Sequence, residues 1–426
     1  MLQIDHIYEF FFQTLFNDFN VYHCPQGVIE TGSVSVKNLS IFTPNYLPNK
    51  KIFFYDQEPL LNEVTDRYLD IFDAQDQLGL DQLLKLNDEN QLPYECTQLP
   101  NYITEQFVNT PDTFYTKKVL CTSEHSELKQ QYLKKYNCLD LYYFFHGFAA
   151  LDWYRGYYAL NYNKPIVKEY KYDFISFNRI INNDRSYRIY FVSLLKEQGL
   201  LDHGQVSFNV TDNLFDDWRD EVSDTNTKLS EHAKHHAEQY LVNINKLVID
   251  KEQLPGSASA NIPRTIPGWF PQDDQPNADA FWHVVTETVF YYNKLHLTEK
   301  IFKPIVSKQP FMLLAAPGNL EYLRSYGFKT FDGIIDESYD QIQDNDARID
   351  AVVKQLAWYC GLSADKKQDI QTKLEPIIEH NFNWFYNGFR QKIIEELLEN
   401  CQNLFKKLGY DDSHISYTTI SQLLTR

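Results

Sequence analysis

The segment that most constrains the fold covers residues 281–318 and reads FWHVVTETVFYYNKLHLTEKIFKPIVSKQPFMLLAAPG. It begins with a β-branched and aromatic run over 282–289 and ends with a second apolar run over 310–316. Between the two runs, Thr298 can cap a helix and Glu299 would lie in its first turn, where a carboxylate suits the positive end of the helix dipole. Strand, helix and strand in this order predict one unit of a parallel α/β sheet.

Lys300 is the unexpected residue of that turn, because a cation beside a helix N-terminus is unfavourable by itself. The arrangement becomes favourable if an anion such as phosphate is held at the same place. Taken alone, Thr298, Glu299 and Lys300 fit a solvated first turn equally well. Their sequence neighbourhood favours a phosphate site.

Composition and charge exclude several classes of protein. Hydrophobic residues at 43% and charged residues at 23% describe a globular rather than a disordered chain, and 426 residues allow two or three domains. Aromatic residues make up 15%, more than a core needs, so we expect some of them to line a ligand surface. A net charge of −18 makes nonspecific binding to nucleic acid unfavourable.

The cysteines and the apolar segments predict a cytoplasmic protein. Six cysteines are scattered without C-x-x-C spacing, which favours reduced thiols over a zinc knuckle or a redox motif. No window offers eighteen uncharged apolar residues, so no membrane span is expected. Asp5 and Glu9 interrupt the apolar N-terminus, which also lacks a basic region, so we do not expect a signal peptide.

Short apolar runs predict buried strands in the first part of the chain: 51–56, 119–122 and 141–145. The first run leads into Asp56, Gln57, Glu58 and Pro59. Ligands of open α/β sheets bind beyond the carboxyl ends of the strands. Glu58 is therefore a candidate catalytic base, and a solvated loop acid is the alternative interpretation.

An aromatic segment follows, in which rings alternate with polar groups. His146 precedes it, and Asp152 and Trp153 lie within it. Such a surface can stack a sugar or a base and hydrogen-bond its edge. An aromatic domain interface explains the pattern equally well. The polar run over 161–171 contains Pro165 and predicts a domain boundary.

The second part repeats the strand and helix pattern. A strand over 172–177, a helix over 185–200 and a strand over 205–210 predict a β-α-β unit, and Asn178, Arg179 and Arg185 lie around its first loop. Backbone N–H groups and arginines at such a helix start suit a diphosphate. We also predict a final strand over 333–339 and a mainly helical chain from residue 350 onwards.

Three histidines on one helical stretch, His232, His235 and His236, have a spacing that permits a metal site. We expect none there, because the stretch has no H-E-x-x-H motif and its neighbours are polar.

The region from Glu287 to the strand ending in Ala316 resembles the signature of the α1,3-fucosyltransferases, the tenth family of glycosyltransferases. That family has a glutamate followed, at nearly this distance, by a threonine-glutamate-lysine, as in Thr298, Glu299 and Lys300. Two upstream segments are similar as well: residues 176–178 followed by Arg185, and residues 54–59 with Glu58.

The resemblance implies a GT-B fold, with two Rossmann-like domains facing a cleft, and an inverting, metal-independent sugar transfer. It gives Glu299 to the ribose, Lys300 and Arg185 to the diphosphate, Glu287 to the neighbourhood of the transferred sugar and Glu58 to deprotonation of the acceptor. The predicted site residues form two sets beside the base Glu58. The donor set is Asn178, Arg179, Arg185, Glu287, His296, Thr298, Glu299 and Lys300, and the acceptor set is Asp56, Gln57, His146, Asp152 and Trp153.

We therefore expect an α/β protein with an N-terminal acceptor domain over 1–165, a nucleotide-sugar domain over 166–385 and a helical tail over 386–426. The expected reaction moves a sugar, with fucose from GDP-fucose as the best candidate, to a glycan acceptor without a cofactor or a metal. Two alternatives remain. The first is transfer from another nucleotide sugar, including transfer to a modified nucleobase in DNA, and the second is a non-catalytic protein that binds carbohydrate or nucleotide.

Overall fold

The computed structural model describes residues 11–17, 19–24, 40–42, 51–57, 117–135, 137–154, 170–178, 180–208, 217–245, 247, 249 and 279–424. The chain forms two compact units. One consists of Met1–Phe145 together with Ile393–Arg426, and the other is His146–Lys392. The sequence had placed the boundary within 161–171 and had separated 386–426 as a tail.

A sheet of five strands forms the centre of the first unit, with β1 (Asn20–Cys24), β2 (Ser40–Phe42), β3 (Lys51–Gln57), β4 (Lys117–Thr122) and β5 (Leu139–Tyr142) in the order β2-β1-β3-β4-β5. The β2 strand is antiparallel to β1, and the other pairs are parallel. Helix α1 (Glu127–Lys135) connects β4 to β5. The three strands predicted here are present, and Ile52, Phe54, Val119 and Leu141 are buried in them. The third, predicted over 141–145, ends at Tyr142, and a helix begins at Phe145.

The sheet of the second unit is entirely parallel. Its strands β6 (Tyr172–Ser176), β7 (Gly204–Val206), β8 (Ala280–Thr286) and β9 (Phe311–Leu314) lie in the order β7-β6-β8-β9. All seven residues of β8 are buried, as expected for a central parallel strand covered on both faces. The sequence prediction of an α/β fold with parallel strands is therefore confirmed.

Helices connect and cover these strands. Helix α2 (Phe145–Trp153) begins at the boundary between the two units. The helices that follow it in the second unit are α3 (Tyr187–Glu197), α4 (Trp218–Ser223), α5 (Glu231–Tyr240), α6 (Glu299–Val306), α7 (Asn319–Ser325), α8 (Asn345–Cys360) and α9 (Ala364–Trp384). The β-α-β units predicted from 172–210 and 281–318 are both present, with α3 after β6 and α6 between β8 and β9.

The C-terminal region is helical, as predicted. A π-helical turn (Phe385–Phe389) links α9 to α10 (Arg390–Leu408), and α11 (Tyr417–Ser421) follows. Within the first unit, the ring of Phe405 on α10 lies 5.1 Å from that of Phe16, and the ring of Tyr410 lies 4.8 Å from that of Phe19. These aromatic contacts join the end of the chain to its beginning within this unit.

The strand predicted over 333–339 is wrong. Gly333 has a left-handed φ of 80°, only an isolated bridge joins Asp332 to Ile335, and Glu337–Gln341 forms a 3-10 helix. The buried Glu337 accepts hydrogen bonds from the backbone N–H of Phe331 at 2.6 Å and from the Thr330 hydroxyl at 2.7 Å. The Glu337 carboxylate therefore stabilises a turn in a segment whose apolar residues predict an extended chain.

No helix among the described residues is long and apolar enough to cross a membrane.

Candidate functional site

Glu287 joins the end of β8 to the beginning of α6. Its side chain is completely buried, and its Oε1 accepts a hydrogen bond from the backbone N–H of Thr298 at 3.1 Å. Its Oε2 accepts from the Thr298 hydroxyl at 2.5 Å and from the backbone N–H of Thr288 at 3.2 Å. A buried carboxylate with three donors is well satisfied. Glu287 therefore fixes the position at which the helix starts.

Thr298 is the N-cap of α6, as the sequence predicted. It has extended backbone angles, and its hydroxyl oxygen accepts from the backbone N–H of Lys300 at 3.4 Å. Because the Thr298 hydroxyl donates its hydrogen bond to Glu287, its oxygen lone pairs are oriented to accept from the first turn of the helix. The cap thus satisfies one donor of the first turn and leaves the turn at a fixed place beyond the carboxyl end of β8.

The ammonium group of Lys300 folds back over this helix N-terminus. Its Nζ lies 3.1 Å from the Thr288 hydroxyl, 3.2 Å from the Thr298 hydroxyl and 3.1 Å from Glu299 Oε1. About a third of the side chain, 35%, stays exposed. A cation is therefore held at the positive end of α6 and is reachable from solvent, which is the arrangement that an anionic ligand would stabilise.

Glu299 lies between two basic groups. Its Oε1 contacts Lys300, and its Oε2 lies 3.2 Å from Nδ1 of His146 on α2. Burial by itself would raise the pKa of the Glu299 carboxyl. The Lys300 ammonium and the His146 imidazole lower this pKa by more than burial raises it, so the pKa lies well below its usual range. Glu299 is therefore an ionised acceptor at neutral pH.

His146 was placed in the acceptor set by the sequence, and the structure brings it to Glu299 of the donor set. Its ring also meets that of His296 edge to face, with 5.4 Å between the ring centroids. The backbone N–H of the buried His296 donates to Asn319 Oδ1 at 3.0 Å. Asn319 in turn donates to the carbonyls of Lys294 and Ala316, at 3.0 and 2.8 Å, and so closes the loop between β8 and α6.

Asn178 lies beyond β6 in the same sheet and is completely buried. Its amide Nδ2 donates to Ser176 Oγ at 3.1 Å, its backbone N–H donates to Ser207 Oγ at 2.8 Å, and Ser176 donates to the Val284 carbonyl. Its Oδ1 has no hydrogen-bond partner in the part of the chain that the structure describes. Buried acceptors are rarely left unsatisfied, so this oxygen is a candidate contact for a ligand donor.

Two arginines at the start of α3 differ in their surroundings. Arg188 is buried and donates to the carbonyls of Ile180 at 2.8 Å and Thr286 at 2.7 Å, so it holds the loop after β6 to the end of β8. Arg185 ends the short 3-10 turn before α3 and is half-buried. Of this pair, Arg185 is thus the arginine whose side chain is partly open to solvent.

Two residues that support the site, Tyr187 and Asn319, were not predicted from the sequence. The Tyr187 hydroxyl donates to the Glu287 carbonyl at 2.6 Å. These side chains act through backbone carbonyls far away in the sequence, and no local spacing marks such contacts. The position of Asn319 directly after Gly318, at the start of α7, is the one signal that could have identified a capping or clamping residue.

The structure describes the other predicted site residues less completely. Asp152 is half-buried on α2, and Trp153 ends the same helix. Asp56 and Gln57 are the last residues of β3, where Gln57 pairs with Thr122. Glu58 and Arg179 lie outside the described residues.

Two of the three histidines of α5, His232 and His236, hydrogen-bond to α3. His232 Nε2 lies 3.1 Å from the Tyr190 hydroxyl, and His236 lies 2.8 Å from Ser193 Oγ and 3.2 Å from Glu197. His235 is exposed. His232 and His236 therefore take part in the packing of α5 on α3.

Comparison with known protein families, with curated proteins and with solved structures finds no match for this chain.

Proposed function

We propose that this protein is a glycosyltransferase that binds a nucleoside diphosphate sugar at the carboxyl ends of β6 and β8. The observation that carries the proposal is the position of Lys300, whose ammonium lies at the capped N-terminus of α6 beside the ionised Glu299. A cation, helix N–H groups and a carboxylate in one turn suit a diphosphate linked to a ribose.

In this proposal, Lys300, Arg185 and the first N–H groups of α6 bind the diphosphate. Glu299 accepts hydrogen bonds from ribose hydroxyls, and Asn178 Oδ1 accepts one further ligand donor. Glu287 acts by positioning Thr298, because its carboxylate oxygens are occupied by protein donors.

The proposed sugar transfer depends on the charged side chains around the leaving phosphate. When the bond between the sugar and the diphosphate breaks, negative charge accumulates on the leaving phosphate, and Lys300 and Arg185 stabilise it without a metal. The acceptor hydroxyl must lose its proton to a carboxylate, the role proposed for Glu58. The resemblance of the site sequence to the α1,3-fucosyltransferases makes GDP-fucose the first donor to test, a glycan the proposed acceptor and inversion the proposed stereochemical course.

Thermal stabilisation by a panel of nucleoside diphosphates and sugar nucleotides tests the proposal. A ligand at 100 times its dissociation constant adds about 2.7 kcal/mol to stability, which shifts the melting temperature measurably. We expect GDP or GDP-fucose to stabilise the wild type without added metal and to fail with Lys300→Ala. Lys373→Ala removes a lysine whose side chain is 60% exposed and paired with Asp369, so it serves as the matched control.

Two results would change the proposed function. Stabilisation by a different nucleotide, lost in Lys300→Ala, would keep the class of enzyme and replace the donor. The absence of any stabilisation, with or without magnesium or manganese, would contradict nucleotide binding. Where a nucleotide binds, Glu58→Gln separates an enzyme from a binding protein, because the proposal predicts loss of turnover with nucleotide affinity retained.

A further inference from the structure

A second cluster of polar side chains lies at the amino end of the second unit's sheet. It consists of Asp173 near the start of β6, His203 directly before β7 and Cys360 at the end of α8. One carboxylate oxygen, one imidazole nitrogen and the sulfur lie within 4.8 Å of one another. The backbone N–H of Asp173 donates to the His203 carbonyl at 2.8 Å, so the sheet itself fixes two of the three residues.

Both carboxylate oxygens of Asp173 have a basic neighbour. Its Oδ1 pairs with the ammonium of Lys367 at 2.6 Å, and its Oδ2 lies 3.1 Å from His203 Nδ1. Cys360 is buried and is a free thiol. The side chain of His203 is 47% exposed, so an ion and a water molecule can reach the cluster from solvent.

We propose that Asp173, His203 and Cys360 bind one Zn²⁺ ion, with a water molecule as the fourth ligand. Carboxylate oxygen, imidazole nitrogen and thiolate sulfur are the ligands that zinc prefers, and four-coordinate geometry needs one ligand besides these three. On binding, the Cys360 thiol releases its proton to solvent, the neutral imidazole coordinates through nitrogen, and Asp173 coordinates through Oδ2. Lys367 stays on Oδ1 and orients the carboxylate.

This site is separate from the proposed nucleotide site. Asp173 lies near the start of β6, and Ser176, which contacts Asn178, ends the same strand. At about 3.3 Å per residue, Asp173 and Ser176 are roughly 10 Å apart. The ion would join α8 to β6 and β7, and we therefore assign it a stabilising role that does not depend on sugar transfer.

Cobalt is the probe for this site, because Co²⁺ takes the place of zinc and absorbs light when a thiolate binds it. The reduced full-length protein is titrated with Co²⁺. We expect one ion per chain, a thiolate-to-cobalt charge-transfer band in the near ultraviolet and the visible bands of tetrahedral cobalt, all removed by one equivalent of Zn²⁺. Zn²⁺ should also raise the melting temperature.

Variants assign the ligands. Cys360→Ser should abolish the charge-transfer band, and His203→Gln, at an exposed side chain that tolerates exchange, should weaken Co²⁺ binding by at least about 100-fold, since loss of an outer partner alone costs 10–100-fold. Cys138→Ser, at a half-buried thiol outside the cluster, should leave the titration unchanged.

Three results would overturn the proposal: no thiolate band in the wild type, a band that persists in Cys360→Ser, or Co²⁺ affinity unchanged in His203→Gln. A band lost in the double variant Cys24→Ser/Cys96→Ser would place the ion at other thiols and would overturn it as well. If Cys360→Ser does not fold, His203→Gln and the double variant still show whether the ion binds at Asp173, His203 and Cys360.

Discussion

The carboxylate of Glu287 accepts hydrogen bonds from both the backbone N–H and the hydroxyl of Thr298, at 3.1 and 2.5 Å. This pairing links the end of a central strand to the cap of the helix that presents Glu299 and Lys300. The position of the proposed phosphate site therefore depends on a carboxylate that has no need to touch the ligand.

Replacing Glu287 by glutamine should destabilise the protein by about 1–3 kcal/mol, because the amide NH₂ would face a protein N–H donor in a buried place. Urea unfolding measures the loss, and Glu238→Gln, at an exposed glutamate of α5, is the control with little change. Nucleotide affinity should fall with stability. A Glu287→Gln protein as stable as the control would contradict the role of this carboxylate.

Thr298→Ala should cost about 1–2 kcal/mol, as is typical for the loss of a helix cap, and should also weaken nucleotide binding by loosening the first turn of α6. Thr298→Ser keeps the hydroxyl, so stability and affinity should stay near those of the wild type. Chemical denaturation and nucleotide titration of both variants check this. Equal behaviour of the alanine and serine variants would show that the hydroxyl is not needed.

Glu299 should make stability depend on pH. Its carboxyl has a folded-state pKa below its ordinary value of 4.5, since Lys300 and His146 outweigh the effect of burial. Such a group contributes stability that is fully present above the unfolded-state pKa and is lost as pH falls through the folded-state pKa. The stability difference between wild type and Glu299→Gln should thus be largest above pH 4.5 and shrink in acid, as measured by urea unfolding across pH. A difference that grows in acid would be inconsistent with this.

The two arginines at the start of α3 should separate stability from binding. Arg188→Lys should destabilise by about 2 kcal/mol or more, because a lysine cannot serve two buried carbonyls in the geometry of a guanidinium. Arg185→Ala should change stability by less than about 1 kcal/mol and weaken nucleoside diphosphate binding. Unfolding and titration of each variant test the contrast. The reverse pattern would assign the anion to Arg188.

Local signals in the sequence were sufficient for the supersecondary structure. The apolar runs around Thr298 and the helical period after Arg185 predicted β8, α6 and α3 because strand burial and helix capping depend on near neighbours. The segment at 333–339 was misread because the role of Glu337 as a buried acceptor depends on Phe331 and Thr330 in the folded turn.

The site could be predicted less completely. Thr298, Glu299 and Lys300 share one helical turn, so their proximity follows from spacing. The contact of His146 with Glu299 joins residues far apart in the sequence. Arg188 likewise donates to the carbonyl of Thr286, which lies 98 positions away. Such contacts are consequences of tertiary packing, and no local pattern encodes them.

The most direct test compares the affinities of a nucleoside, its monophosphate and its diphosphate by calorimetric titration, using the base that the thermal panel selects. We predict that the diphosphate binds most tightly in the wild type, and that Lys300→Ala removes most of this advantage while Lys373→Ala preserves it. Equal affinity for the nucleoside and the diphosphate, an advantage undiminished in Lys300→Ala, or no nucleotide binding at all would contradict a diphosphate site at the N-terminus of α6.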